Sequence, residues 1–266
     1  MAKIQCNVIS YVLKRTVDIT VVVPTPTIPQ SMGMGMKEGE SPRHTPKAPY
    51  PVLYLLHGMG NNHATWTGYT NVEMYAEEHQ IVVVNISGEN KGYRTAEGGD
   101  DFFRFVSEEL PDFVKGMFPV SHRVEDTYIA GLSMGGAGTL LHGLSFPERF
   151  CAMGVLSCGG QLTMRPMKGM ASKPVPDKYI PEYLADHIKE EGRKFPKIYY
   201  ACGTKDGGFE GCKIMRDRLI ADGADVTWDE IEGYGHEWRF WDIEIEKFLK
   251  WIPRTDAYAE EGPRQI

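Results

Sequence analysis

Four short runs of this chain are apolar almost without interruption: Pro51-Val52-Leu53-Tyr54-Leu55-Leu56, Ile81-Val82-Val83-Val84-Asn85-Ile86, Cys151 to Ser157, and Lys197-Ile198-Tyr199-Tyr200-Ala201-Cys202. A strand with one face in water alternates apolar and polar residues. A strand that does not alternate is buried on both faces, which points to a parallel sheet covered by helices on each side. The stretches between these runs carry the helices such a sheet needs. Val72, Met74, Tyr75 and Ala76 read as one, ending near Glu78-His79. Phe102, Val106, Leu110, Phe113, Val114 and Met117 form an i, i+4 stripe, with Pro111 expected to kink it. Ala137 to Leu144, a short piece at Pro181 to Glu190, Phe209 to Ala221, and Phe240 to Trp251 follow.

Four further strands complete the pattern. Ile4 to Leu13 and Thr16 to Val23 read as an antiparallel hairpin joined at Lys14-Arg15. Thr127 to Ala130 is short and leads into a glycine-rich turn, and Asp225 to Ile231 alternates as an outer strand. The expectation is an α/β chain with a mostly parallel eight-stranded sheet and helices on both faces. With 266 residues and 42% hydrophobic content, residues 1–266 suffice for one domain with one large core. Two stretches break the periodicity. Residues 24–49, with Ser31-Met32-Gly33-Met34-Gly35-Met36, read as a surface insertion, a functional flap being the alternative. Residues 160–195 read as a lid over the strand ends or as a solvated connection. The charged tail after Pro253 is expected to fray.

Composition excludes several classes. The net charge is −7 and no basic run exists to neutralise phosphates, so nucleic acid is not an expected partner. No apolar stretch approaches the ~20 residues of a membrane span. Met1-Ala2-Lys3-Ile4-Gln5 lacks an apolar leader, so a cytoplasmic location is expected. Five cysteines, an odd number without a C-x-x-C pair, read as free thiols. No metal-ligand spacing is present, and no metal is expected.

In an open parallel sheet, ligands bind beyond the carboxyl ends of the strands. The stretch after Thr127–Ala130 is Gly131-Leu132-Ser133-Met134-Gly135-Gly136, a G-x-S-x-G pattern between strand and helix. Strand and helix cross closely there, so side chains at Gly131 and Gly135 would collide. The turn presents the Ser133 hydroxyl and leaves the Met134 N–H at a helix N-terminus, facing any oxyanion that forms. A serine hydroxyl is a weak nucleophile and needs a base and an orienting acid. Of the eight histidines, His236 alone lies in a glycine-bracketed loop between the last strand and the last helix. His79 and His142 lie on helices, where a solvated or capping role is expected. Asp206 follows the Lys197–Cys202 strand and precedes His236, with Glu210 and Asp225 as competing acids. The loop after the first buried strand, His57-Gly58-Met59, is placed to give a second oxyanion N–H from Met59. Trp238, Tyr93 and His57 are the candidate substrate-binding side chains, and Trp66 reads as core packing.

These stretches resemble the putative-esterase (esterase D-like) family of α/β-hydrolases, which holds esterase D, mycolyltransferases and bacterial tributyrin esterases. The resemblance rests on Leu55-Leu56-His57-Gly58-Met59, Thr70-Asn71-Val72-Glu73, Glu108-Glu109-Leu110-Pro111, Ile129 to Gly136, and Gly235-His236-Glu237-Trp238, and the tributyrin-esterase branch is nearest. It implies the α/β-hydrolase fold and Ser–Asp–His catalysis on short-chain acyl esters without a cofactor. Leu132 stands where formylglutathione hydrolases carry a histidine, which steers away from that branch. Two alternatives stay open: a carbohydrate-ester esterase (acetylxylan or feruloyl), and a hydrolase fold kept as a non-catalytic binding module. The acyl acceptor and any homo-oligomer are left open.

Overall fold

The computed structural model describes residues 1–36, 39, 41–95, 99–159 and 175–266. Its eight strands are β1 (Ala2–Ser10), β2 (Arg15–Val23), β3 (Val52–Leu56), β4 (Val82–Ile86), β5 (Thr127–Leu132), β6 (Ala152–Leu156), β7 (Lys197–Gly203) and β8 (Val226–Ile231). Its helices are α1 (Ile28–Ser31), α2 (Thr65–Tyr69), α3 (Val72–Glu78), α4 (Phe102–Arg104), α5 (Leu110–Met117), α6 (Met134–Ser145), α7 (Pro181–Glu190), α8 (Phe209–Ala221) and α9 (Trp238–Trp251). The strands form one sheet in the order β1-β2-β4-β3-β5-β6-β7-β8. Only β1 with β2 and β2 with β4 pair antiparallel; the other five pairings are parallel. The chain goes from β3 outward to β4, then returns across β3 to β5. That reversal opens a crevice beyond the carboxyl ends of β3 and β5.

Strand alternation sorts the core into two layers. Tyr54, Val84, Ile129, Val155 and Tyr200 face α5, α6, α7 and α8. Leu53, Leu55, Val83, Ala130 and Ala201 face α3 and α9, where Phe240, Ile245 and Phe248 are fully buried. Each such side chain stabilises the fold by roughly 1.5–3 kcal/mol relative to exposure.

Three sequence expectations are corrected. The hairpin turns at residues 11–14 and not at Lys14-Arg15, because β1 ends at Ser10, opposite Arg15. A buried carboxylate causes this. Glu109 accepts the Ser10 hydroxyl (2.6 Å) and the N–H groups of Tyr11 (2.8 Å) and Val12 (3.1 Å), while Ser10 Oγ accepts the Leu13 N–H (2.8 Å). Lys14 closes the turn at φ 56°.

The second correction concerns the stripe from Phe102 to Met117, which is not one α-helix. Phe105–Glu109 forms a π-helical turn between α4 and α5, with the Leu110 N–H bonded to the Phe105 carbonyl. Pro111 has no N–H to offer the Ser107 carbonyl, and Arg149 Nη1 takes that acceptor instead at 2.7 Å.

Third, the tail packs. Tyr258 is buried, stacks on Tyr50 (ring centroids 4.8 Å apart) and donates to the Ala48 carbonyl at 2.6 Å. Arg264 donates to the Thr25 carbonyl (2.6 Å) and to Glu77 Oε1 (2.9 Å). The tail therefore straps down both ends of residues 24–49, whose helix α1 is capped by Thr27. Of the stretch read as a lid, residues 160–174 lie outside the described residues. Residues 181–190 form α7, as the sequence pattern indicates.

Candidate active site

Ser133 sits between β5 and α6 with φ 53° and ψ −116°, a strained backbone for a residue with a Cβ. The strain is held from both sides: the Ser133 N–H donates to the Leu156 carbonyl (2.9 Å), and its own carbonyl accepts from Ala137 N–H (3.0 Å). The flanking glycines are sterically required. A Cβ at Gly131 would lie 2.4 Å from the Gly135 oxygen, and one at Gly135 would lie 2.2 Å from the Leu56 oxygen. Met134 opens α6, so its N–H has no intrahelical acceptor.

The loop after β3 comes alongside. A Cβ on Gly58 would approach Leu132 Cδ1 to 2.5 Å and Ser133 Cβ to 3.5 Å. The turn is closed by the Asn61 N–H on the Gly58 carbonyl (3.3 Å) and tethered by the Gly60 N–H on Asn90 Oδ1 (2.7 Å). Among the described residues, neither the Met59 nor the Met134 N–H donates to another group.

His236 and Asp206 come from the loops after β8 and β7. His236 Nδ1 and Asp206 Oδ2 are 2.7 Å apart, and Asp206 Oδ1 accepts the Gly208 N–H at 2.8 Å. The two loops interlock: the Lys205 N–H donates to the Tyr234 carbonyl (2.8 Å), and a Cβ at Gly203 would meet that carbonyl oxygen at 2.3 Å. Burial alone would raise the Asp206 pKa, but hydrogen bonds from His236 and Gly208 hold its carboxyl below the ordinary carboxylate value. The competing acids point elsewhere, with Glu210 paired to Lys213 (2.7 Å) and Asp225 to Lys197 (3.9 Å). Ser133, Met59, Met134 and His236 line one cavity of about 1520 Å³. Among the described residues no group of His, Cys, Asp or Glu side chains could hold a metal ion. No helix among them is long and apolar enough to cross a membrane.

A family model described as "Putative esterase" matches residues 30–243. The chain belongs to this esterase family. It is 28% identical over 281 aligned positions to an acetyl esterase of Caldicellulosiruptor saccharolyticus, covering 96% of this chain and 99% of that one. Its backbone matches FphF, a fluorophosphonate-binding serine hydrolase of Staphylococcus aureus, with a TM-score of 0.81 at 24% identity, covering 96% and 99% of the two chains. The S-formylglutathione hydrolase FrmB of Staphylococcus aureus matches at a TM-score of 0.78 and 25% identity, over 94% and 98%. The fold is that of the α/β-hydrolases.

Within this family member, two of the three expected substrate-binding side chains are displaced from the cavity. His57 is buried. Its Nδ1–H donates to the Gly58 carbonyl (2.7 Å) and its Nε2 accepts the Gly88 N–H (2.7 Å). It is therefore a neutral tautomer, and burial lowers its pKa. Tyr93 is also buried and donates to the His57 carbonyl at 2.8 Å. Both side chains turn inward to fix the loop that carries Gly58 and Met59, and neither lines the cavity. Trp238 does line it, stacked on Tyr69 (5.2 Å) and edge-on to Trp66, which is fully buried. His142 is buried, not solvated, with Nε2 on the Tyr93 carbonyl at 2.9 Å. His79 caps α3.

Two residues were missed. Trp241 lines the cavity, packs edge-on to the His236 ring (5.0 Å, 90°) and donates Nε1–H to Ser157 Oγ at 3.0 Å. Ser157, at φ 52°, is the acceptor that fixes the Trp241 indole. Signals existed: Ser157 directly follows a buried strand, and Trp241 lies one helical turn after Trp238 on the same face.

Proposed function

We propose that the protein is a serine carboxylesterase acting on short-chain acyl esters, with residues 1–266 forming one catalytic domain. The observation that carries this reading is the 2.7 Å contact between His236 and Asp206 in the loops beside the cavity that holds the strained Ser133. His236 Nε2 takes the Ser133 proton as Oγ attacks the ester carbonyl. Asp206 fixes the Nδ1–H tautomer and stabilises the imidazolium. The Met59 and Met134 N–H groups bind the oxyanion, each worth about 3 kcal/mol of transition-state stabilisation. His236 then protonates the leaving alcohol, and water repeats the cycle on the acyl-enzyme. Trp238 and Trp241 give the substrate an apolar wall.

The cavity volume favours a second reading for the alcohol half. Pockets for small ligands span roughly 300–1000 Å³, and this one exceeds that range. A sugar-linked ester, acetylated or feruloylated, has room here. Part of the wall comes from Pro176, Tyr179 and Pro181, in the stretch read as a lid.

A fluorophosphonate adduct mapped by peptide sequencing tests the mechanism. The adduct belongs on Ser133, and Ser133→Ala abolishes both labelling and turnover of 4-nitrophenyl acetate. An adduct on another peptide, or full activity in Ser133→Ala, removes the proposal. Rates on 4-nitrophenyl acetate, acetylated xylan, methyl ferulate and an acyl thioester then rank the substrates. Zero burst across all of them would return the chain to a binding module.

A further inference from the structure

Among the described residues, the cavity lining is cationic inside a molecule of the opposite sign. The chain has a net charge of −7, yet the described lining holds Lys91, Arg94 and Lys178 against one carboxylate, Glu237. Glu237 is already engaged, its Oε1 accepting the Gly235 N–H at 2.9 Å. Lys91 is paired with Asp100 at 3.3 Å. Arg94 and Lys178 pair with no carboxylate among the described residues.

The described carboxylates close to Arg94 in sequence, Glu89, Asp100 and Asp101, are committed elsewhere. Glu89 holds Arg15 through two bonds, of 2.7 and 2.6 Å. Asp100 is shared by Lys91 and Arg15. Asp101 accepts the Thr95 hydroxyl (2.8 Å) and caps α4 through the Arg104 N–H (3.1 Å).

Arg94 is nevertheless not on a loose loop. Glu89, Asn90, Gly92 and Tyr93 all have positive φ, and the Tyr93 ring is buried so tightly that a Cβ on Gly88 or Gly138 would lie 2.5–2.6 Å from it. The neighbouring Asn90 is bonded to Gly60, in the loop that carries Met59. Arg94, a half-buried residue, is thus held on anchored backbone in the cavity that Ser133 also lines, with its guanidinium fork unused among the described residues. Lys178 approaches the same cavity from a separate stretch of chain.

We infer that the ester substrate carries a carboxylate, bound by Arg94 with support from Lys178. A planar guanidinium matches a carboxylate through two parallel bonds, and a cleft of one sign inside a molecule of the other concentrates such a ligand. The inference deepens the esterase reading and rests on it.

Two pairs of matched esters test it and separate the two halves of the substrate. On the acyl side, 4-nitrophenyl hemiglutarate is compared with 4-nitrophenyl pentanoate. On the alcohol side, 4-acetoxybenzoate is compared with 4-acetoxybenzamide. In one pair, kcat/KM for the anionic member is expected to exceed that of the neutral member by about tenfold or more at low salt, as a charge-assisted bidentate contact supplies. The ratio falls at 250 mM salt. Arg94→Met collapses it toward one, Lys178→Met reduces it, and the surface control Lys250→Met keeps it. Equal turnover within both pairs overturns the carboxylate assignment and leaves the esterase reading standing. A preference that survives Arg94→Met overturns the role of Arg94. No turnover of any of the four overturns the esterase reading and this inference together.

Discussion

His236 Nδ1 lies 2.7 Å from Asp206 Oδ2, although the two residues are 30 positions apart on separate loops. The contact is built by backbone. The Tyr234 carbonyl lies so close to Cα of Gly203 that no side chain fits there, and it accepts the Lys205 N–H. The pairing is thus set by how β7 and β8 end, and the imidazole is oriented before any substrate arrives.

Asp206→Asn tests that orientation. An amide can offer Nδ1 a donor, which favours the Nε2–H tautomer and leaves Nε2 unable to take the Ser133 proton. On 4-nitrophenyl acetate, kcat is expected to fall about 10⁴-fold with KM little changed. A fall below tenfold would remove Asp206 from the mechanism. The same carboxylate adds an acid-side stability term. Its folded pKa is depressed, so the contribution is present above the unfolded value of about 4 and is lost as pH falls through the folded one. The stability gap between wild type and variant should therefore shrink below about pH 4.

Ser157 anchors the cavity wall by accepting Trp241 Nε1–H at 3.0 Å, and Trp241 packs edge-on to the His236 ring. Ser157→Ala leaves the indole N–H without its acceptor. The loss of one such bond is worth about 1–2 kcal/mol, so kcat should drop roughly tenfold. Because Trp241 loses its anchor, KM for esters with bulky alcohols should rise more than KM for 4-nitrophenyl acetate. Equal changes across substrates would place Ser157 in the fold alone.

His142 gives the protein a weakness toward acid. It is buried, and burial, opposed in part by the bond to the Tyr93 carbonyl, lowers its pKa to about 4. In the unfolded chain it titrates near 6.5, so between those values the unfolded state binds more protons. Stability then falls as pH drops from about 6.5 to 4, by roughly 3 kcal/mol from this residue. His142→Gln, which can keep a donor for the Tyr93 carbonyl, should flatten the urea-midpoint profile over that window. An unchanged slope would show that His142 does not carry the effect.

Much of this arrangement was legible because its signals are local. Uninterrupted apolar runs marked β3, β4, β6 and β7, and α7 and α8 have the limits their patterns gave. Ser133, Asp206 and His236 each follow a strand, as the sequence pattern indicates, which is where the strand-end rule looks for a site. The errors share one cause, partners distant in sequence. His57 and Tyr93 stand where substrate-binding side chains could stand, yet they bond to backbone 31 and 36 residues away and face inward. The tail looked mobile because it is charged, but its arginines answer acceptors that lie up to 239 positions back. No period or propensity encodes such pairings.

Glu109 is the sharpest of those long-range partners. Its carboxylate holds the whole β1–β2 turn, across 97 to 99 positions. Glu109→Ala leaves a buried hydroxyl and two backbone N–H groups without an acceptor, at a cost of about 3 kcal/mol. Glu109→Gln keeps one carbonyl oxygen and should recover part of it. Guanidinium midpoints read the difference, and an Ala variant as stable as wild type would show that the turn stands without its clamp.

Removing residues 254–266 asks whether the tail is structural. The truncation uncovers Tyr50, which Tyr258 stacks upon, and takes Arg264 from the buried Glu77. It also frees the His79 carbonyl, which accepts Arg254 Nη1 at 2.8 Å at the end of α3. Glu77 keeps the Met1 ammonium as a partner, so the loss there is one charge-assisted bond, worth about 1.5–3 kcal/mol. The urea midpoint should fall accordingly, and proteolysis should begin within residues 24–49, which lose their strap. The damage lies beside the amino ends of β3 and β5, where Tyr50 precedes β3 and the Pro253 carbonyl accepts the Tyr128 hydroxyl, whereas Ser133 follows the carboxyl end of β5. Turnover per folded molecule should therefore hold at temperatures below the lowered midpoint. An unshifted midpoint would mean that the packed tail contributes no net stability.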